Sequence, residues 1–521
     1  MLESNLNKGE PVVLRSSVYA AVVCSMILGS GCKSKSSGIK EVVETGGDTE
    51  CEIAIVGGGV AGLHTAFRLG PKYGSKVCVF EKEARLGGRI FDITKSPNDE
   101  NVGPYLGAGG RRLMIGQDVV FSLAKELNIE LQKPETAADL VFARGMYATN
   151  KLDFLKKYPK LSYNASSKDV ETDLLQQLLD SPERNHADQY PDFKSYIIKV
   201  IGVDGYQYLH DMSRFRGDFE YPLSARSYLD FLAEEMNVCC QTYYPVGGMS
   251  TFVRAMAKKA REAGVRLYAA EPVVTIDKDG SGFKIATTKR HVQTQRVIIA
   301  VPPVALNRIG GDVPERIKTQ QQFQDIIGVK VTVINQWFDK PWWQSVRTSD
   351  GKGIWRAYTT GHCISYVEIP PEPYAAAQNA IRTVYNDQRE CADMWTKLSE
   401  GPQQQLEAEL HRGLVHLFAN NNVTTPVNIP PASKTVYWEW PEAWYWLRAG
   451  TKFSNADIFK WALDPLPNEN VTLVNEAYNP QRSAWTDAAY KSSINALNSK
   501  YGMNLQTSGL GLTQPTGRGP R

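Results

Sequence analysis

The sequence predicts a mixed α/β fold (α+β overall), assembled from discontinuous segments, with a separate β-sheet domain and a helical insert. Three observations predict it. A strand, a glycine turn, a helix and a second strand follow one another after residue 50. Apolar strands return near Val297 and Val471. Between the first two of these regions, Val170–Leu179 and Ser227–Glu235 carry apolar residues at helical spacing. At 521 residues the chain exceeds a single core, and about two or three domains are expected.

The opening unit is the most informative. Glu52-Ile53-Ala54-Ile55-Val56 is a short apolar strand, followed by Gly57-Gly58-Gly59-Val60-Ala61-Gly62 and a helical pattern through Leu69. A second strand, Lys76 to Phe80, ends at Glu81. This is the GxGxxG fingerprint of a Rossmann-type dinucleotide-binding unit. Gly57 permits the tight turn, Gly59 lets backbone approach a pyrophosphate, and Gly62 lets the helix pack on the strand. Val60 and Ala61 open the helix, where unpaired N–H groups face phosphate. Glu81 can accept a hydrogen bond from a ribose hydroxyl. Directly after it, Lys82-Glu83-Ala84-Arg85-Leu86-Gly87-Gly88-Arg89 offers close backbone approach and guanidinium forks.

Over Ile53 to Ile90 the sequence resembles, almost literally, the flavin-containing amine oxidase family, whose pattern here is E-x-x-x-R-x-G-G-R. The resemblance continues in blocks. Pro245-Val-Gly-Gly-Met249 is similar to the family's GGM turn. Glu271 to Ile276 is similar to the segment whose valine, here Val273, holds the adenine through its backbone. Val297 to Pro303 is similar to the strand that returns the chain from the cofactor domain. Gly328-Val-Lys330-Val matches the lysine strand. Asn475-Glu476-Ala477-Tyr478 and Ala484-Trp485 resemble the closing G-E-x-Y and G-W motifs, with Asn475 and Ala484 in place of glycines. The resemblance implies FAD, bound non-covalently because Trp446-Leu447 stands where monoamine oxidases carry their flavin-linking cysteine. It divides the chain into an FAD domain (51–95, 243–312 and 462–503), a substrate domain (96–135 and 313–461) and a helical subdomain (136–242). The cofactor residues it implies are Gly57, Gly59, Val60, Ala61, Gly62, Glu81, Lys82, Arg85, Gly88, Arg89, Gly109, Gly110, Arg111, Arg112, Val273, Glu476 and Trp485.

The substrate is addressed by Leu106-Gly107-Ala108-Gly109-Gly110-Arg111-Arg112. In the L-amino acid oxidases of this family a G-x-M-R motif sits here, and its arginine grips the substrate α-carboxylate. Arg112 matches that arginine, and Arg111 stands at the methionine. A carboxylate in a poorly hydrated pocket needs a bidentate partner, which an arginine fork supplies. Tyr366 is the expected second carboxylate donor. Trp485 and Trp444 are the expected aromatic walls, and Lys330 matches the lysine that holds a water against the flavin. The implied reaction is oxidative deamination of an L-amino acid by O2, giving a 2-oxo acid, ammonia and hydrogen peroxide. Two alternatives stay open: a dehydrogenase or deaminase that passes electrons to a membrane quinone, and a polyamine or monoamine oxidase, which needs no carboxylate-binding arginine. A non-catalytic flavoprotein is a third, opposed by Lys330 and Trp485. A homodimer is compatible with all of these.

Composition and termini set further bounds. The chain is 42% hydrophobic and 22% charged with a formal charge of +3, and no dense basic stripe points to nucleic acid. No Cys/His spacing predicts a metal site. Lys8 and Arg15 precede an apolar stretch, Val18 to Leu28, and then Gly29-Ser30-Gly31-Cys32. That order predicts a signal peptide over 1–32, too short to span a bilayer, and resembles a bacterial lipoprotein signal that lipidates Cys32. The expected location is the periplasm, the cell envelope or the medium. Residues 33–50 read as a linker and 508–521 as a disordered tail. Cys78 reads as a core residue in its strand, and any disulfide pairing is left open.

Overall fold

The computed structural model describes residues 47–93, 106–134, 137–167, 169–236, 238–369, 379–480 and 485–507. The leader with Cys32, the tail from 508 and Ala484 lie outside these residues. The fold is mixed α/β, as expected. One seven-stranded sheet holds Thr49–Val56 at its heart, with Val77–Phe80 parallel on one side and His291–Ile299 parallel on the other. Arg266–Tyr268 extends the first side. Val471–Leu473 runs parallel to His291–Ile299, and an antiparallel ribbon, Gly282–Thr287 and Val273–Asp279, completes the other side. Three distant pieces of chain thus build one sheet. Ile53, Ala54 and Ile55 have no exposure, which suits a parallel strand covered on both faces. Helix Val60–Tyr73 covers one face together with Ser250–Glu262 and Thr486–Tyr501.

A second seven-stranded sheet runs in the order Lys434–Leu447, Ile326–Trp337, Ala380–Asn386, Tyr366–Glu368, Ile354–Thr359, Ala138–Ala143 and Met146–Ala148. Its last two strands fall within 136–242, read from sequence as a helical subdomain with little strand signal. The hairpin of Ala138–Ala143 with Met146–Ala148 extends this sheet, and Ala138–Ala143 lies parallel to Ile354–Thr359. The run Leu140-Val141-Phe142 is too short for helical periodicity to show. The helices of the insert follow: Val170–Asp180, Phe193–Met212 and Ala225–Glu235, each with an Asp or Ser side chain capping its N-terminus. They pack on the sheet around Val329, Val331, Trp444 and Trp446. No helix among the described residues is long and apolar enough to cross a membrane.

Among the described residues there are two disulfides. Cys51–Cys78 joins the first two strands, so Cys78 is a bonded residue as well as a buried one, and Cys363–Cys391 ties a loop of the second sheet to helix Arg389–Glu400.

Candidate active site

The glycine turn is held from both sides. Gly57 N–H donates to the carbonyl of Phe80 at 2.8 Å, and Gly58 N–H to Glu81 Oε2 at 2.7 Å. Glu83 N–H binds the other oxygen of Glu81 at 2.9 Å. Burial pushes the Glu81 carboxyl up from its ordinary value, while these two N–H donors pull it back. A Cβ on Gly62 would stand 2.0 Å from the Gly57 carbonyl oxygen, so the helix can follow the turn this closely only with glycine there. A Cβ on Gly59, by contrast, meets only Gly88 Cα, at 3.9 Å. Helix Val60–Tyr73 has no side-chain cap and no acid in its first turn, so its leading N–H groups stay available to an anion. This cradle fits a dinucleotide pyrophosphate. Gly62→Ala is expected to purify without flavin absorbance while far-UV circular dichroism stays close to wild type.

The second element stacks on the first. Gly87 bridges to Gly59 as a β-bridge partner, and Gly87 N–H donates to the Gly58 carbonyl at 2.8 Å. Arg85 folds back onto its own loop, donating to the carbonyl oxygens of Gly88 and Ile90 and lying 4.1 Å from the ring centre of Phe91. It therefore shapes the loop by contacts of its own. Arg89 reaches across the molecule to Glu476 Oε2 (2.7 Å), Asn475 Oδ1 (2.9 Å) and the Ala443 carbonyl (2.7 Å). Asn475 thus replaces a glycine with a side chain that holds both Arg89 and the N–H of Ala477. Lys82 departs from expectation: it is exposed and paired with Glu83, which leaves nothing to draw it to the cradle. Val273 opens the half-buried edge strand Val273–Asp279, whose first residues pair with Thr287.

The 107–110 turn packs directly on this element. Gly110 N–H donates to the Arg89 carbonyl at 3.1 Å, and a Cβ on Gly109 would lie 1.7 Å from that oxygen. Trp440 Nε1 donates to the Ala108 carbonyl at 2.7 Å. Arg111 and Arg112 follow at once, with side chains 8% and 13% exposed. Arg111, Arg112 and Arg382 surround one carboxylate, Glu368, at 3.2, 3.5 and 3.6 Å. Burial opposes the charge of Glu368, yet these arginines hold its carboxyl down at about 2. Tyr244 donates to the same carboxylate.

Tyr366 lies beside this group, and its buried hydroxyl has no hydrogen-bond partner; Arg111 Nη1 and Arg382 Nε have none either. The structure therefore brings together Arg111, Arg112 and Tyr366, three residues nominated separately from sequence. It also adds Glu368, Arg382 and Tyr244, whose contribution depends on pairings between distant segments. Nothing in their local sequence marks them.

Trp485 sits next to Thr486, whose hydroxyl approaches Gly110, and its indole N–H donates to Glu235 Oε2 at 2.9 Å. It joins the closing helix to the helical insert. Trp444 is a correction. It is buried in the core shared by sheet and insert, with its indole N–H on Asp218 Oδ1 beside that of Trp446, so packing and this shared acceptor fix it. Lys330 is another. Its ammonium lies 2.9 Å from Asp393 and 3.2 Å from Glu439, and Thr396 accepts from it as well. Burial opposes that charge, but the two carboxylates hold it above its ordinary value. A lysine engaged in this way serves the contact with helix Arg389–Glu400 instead of holding a water at a flavin. Among the described residues no group of three or more His, Cys, Asp or Glu side chains is placed to hold a metal ion.

A glycine cradle that fits a dinucleotide thus lies against the turn that carries Arg111 and Arg112. The chain belongs to the flavin-containing amine oxidoreductase family, whose model it matches over residues 60–496. Its cofactor is FAD. Among curated relatives, the flavin-containing amine oxidase B of Canis lupus familiaris is 34% identical over 92 residues, 18% of this chain and 16% of that protein. Amine oxidase A of Sus scrofa is 35% identical over 82 residues, 16% and 14% respectively. The matches thus span less than a fifth of those relatives. Among solved structures, a putrescine oxidase mutant with redesigned cofactor binding superposes with a TM-score of 0.61 at 18% identity, covering 87% of this chain and 99% of that one. Wild-type putrescine oxidase bound to putrescine gives 0.60 at 18%, with the same coverage. Those likenesses establish the fold.

Proposed function

We propose that this FAD-dependent amine oxidoreductase acts on L-amino acids, converting them to 2-oxo acids with release of ammonia and hydrogen peroxide. One observation carries the reading: beside Arg112, directly after the Gly109–Gly110 turn that packs on the cofactor loop, the Tyr366 hydroxyl, Arg111 Nη1 and Arg382 Nε are buried without a hydrogen-bond partner. Arg111, Arg112 and Arg382 share the single carboxylate of Glu368, so a bare amine would leave positive charge in excess, whereas an α-carboxylate offsets it with charge-assisted bonds. Flavin held by the glycine turn and the Arg85–Arg89 loop would supply the two-electron oxidation of the amine to the imine, with O2 as the terminal electron acceptor. The residues do the rest. Arg112 and Tyr366 anchor the carboxylate and so fix Cα, and Trp485 closes the pocket against water at the seam with the insert. The imino acid then hydrolyses.

A second reading, oxidation of an amine without a carboxylate, is supported by the named activities of the relatives and by Asp387. Burial, followed by the neighbouring Asp218, pushes that carboxyl up to about 8. The disulfides Cys51–Cys78 and Cys363–Cys391 support our reading of the chain as exported, through the leader and Cys32. A membrane quinone is the acceptor to compare with O2 in that location.

The test is a peroxide assay across L-amino acids, D-amino acids and polyamines, with a quinone run in parallel. Turnover of polyamines alone sinks the L-amino acid reading. Acid precipitation of the yellow protein is expected to release all the flavin to the supernatant, and flavin left on the polypeptide contradicts non-covalent binding.

A further inference from the structure

The buried charge around Tyr366 is larger than one carboxylate requires. Five guanidiniums cluster there, those of Arg111, Arg112, Arg214, Arg356 and Arg382, against the carboxylates of Glu368 and Asp139. Asp139 pairs with Arg356 at 2.7 Å, and Glu368 is shared among Arg111, Arg112 and Arg382. Arg214 has no carboxylate within ion-pairing distance among the described residues. It is 8% exposed, its Nη1 has no hydrogen-bond partner, and its guanidinium stands 6.0 Å from the ring centre of Tyr366. Its charged neighbours are Arg356 and Arg112, of its own sign, and more weakly Asp139, whose carboxylate is already paired with Arg356. Burying an uncompensated guanidinium costs several kcal/mol, so folding alone does not favour keeping it there.

The cluster is separate from the pyrophosphate cradle. Its arginines are carried by the 107–112 turn, the second sheet and the loop before Gly217–Glu220, whereas the glycine turn leaves the first sheet. Arg112 comes from the turn and Arg214 from the helical insert, with Tyr366 between them. An amino acid with a neutral side chain brings one carboxylate and leaves Arg214 as unpaired as before. One with an acidic side chain brings two.

We propose that the substrate is a dicarboxylic L-amino acid, its α-carboxylate held by Arg112 and Tyr366 and its side-chain carboxylate by Arg214. The assignment rests on the amino acid reading above. In it Arg214 is a specificity-determining residue.

The wild-type holoenzyme is expected to oxidise L-glutamate or L-aspartate with a kcat/KM about 100-fold above that for L-leucine and L-lysine. Arg214→Met is expected to remove that preference by lowering kcat/KM for the acidic substrates about 100-fold, chiefly through KM, with L-leucine turnover kept. A binding measurement adds a second readout. Glutarate, which has no amine to oxidise, is expected to raise the Tm of the wild type and leave that of R214M unchanged. Without ligand R214M should melt no lower than wild type, since it loses no ion pair.

Equal turnover of leucine and glutamate by the wild type overturns the dicarboxylate assignment and leaves the amino acid reading standing. Turnover of polyamines but of no amino acid overturns both. A Tm rise with glutarate that persists in R214M removes Arg214 from the role.

Discussion

Arg112→Ala is expected to lower kcat/KM for L-amino acids by about a thousandfold, equivalent to about 4 kcal/mol, while FAD stays bound. The magnitude follows from what the substrate loses. In the proposed pose its carboxylate is held by Arg112, and a buried anion stripped of its partner loses about 3–5 kcal/mol. Arg85 and Arg89 hold the cofactor loop through Gly88 and Glu476, bonds that Arg112 does not share, so flavin absorbance should match wild type. The effect should fall mainly on KM if the carboxylate contact is the same in ground and transition states, and on kcat if it also sets the Cα position. Steady-state peroxide kinetics with a flavin-content measurement decide it. Unchanged kinetics would falsify the carboxylate role and shift weight to Arg111.

Glu368→Gln is expected to be the most destabilising single change in the site. Glu368 is fully buried and is the one carboxylate shared by Arg111, Arg112 and Arg382. Removing its charge leaves three guanidiniums facing one another, at a cost of about 3–5 kcal/mol, which lowers Tm by about 3–5 °C in a chain of this length. The pH dependence has a definite sign. The folded carboxyl is held at about 2, below its unfolded value of about 4.3. Its stabilising contribution, about 3 kcal/mol, is therefore full above the unfolded value and is lost as pH falls through the folded one. Wild-type stability should decline across that window, and Glu368→Gln should decline less. A variant that melts with wild type at neutral pH would show that the arginines find other partners.

What was legible in the sequence divides along the distance over which residues act. Gly57, Gly59, Gly62 and Glu81 do their work within one βαβ unit, and their spacing states the geometry outright. Arg111, Arg112 and Tyr366 were found one by one through a family pattern, and the fold places them side by side. Glu368 and Arg214 were not found. A charged residue in a strand or loop reads as surface until its partners are known, and those partners lie in other segments. Lys330 and Trp444 erred for the same reason. Asp393 and Glu439 claim the lysine, and Asp218 with the helical insert claims the tryptophan. The short hairpin at 138–148 was missed because three apolar residues carry no period.

The first sheet, described above as one layer built from three pieces of chain, also sets a timetable. Thr49–Val56 finds its neighbour His291–Ile299 only after more than two hundred residues have been made, and Val471–Leu473 later still. The bond from Arg89 to Glu476 closes across 387 positions. Contacts of such long range close slowly, because loop entropy must be lost before any pairing rewards it. The helical insert, whose contacts are largely local, can take shape first. The Arg89 end of the cradle is fixed only by Asn475 and Glu476, in the last hundred residues, so cofactor loading is expected to be a late event of biogenesis. Chains truncated before Val471 should accumulate as flavin-free species that expose unpaired strand edges, even though they contain the whole glycine fingerprint.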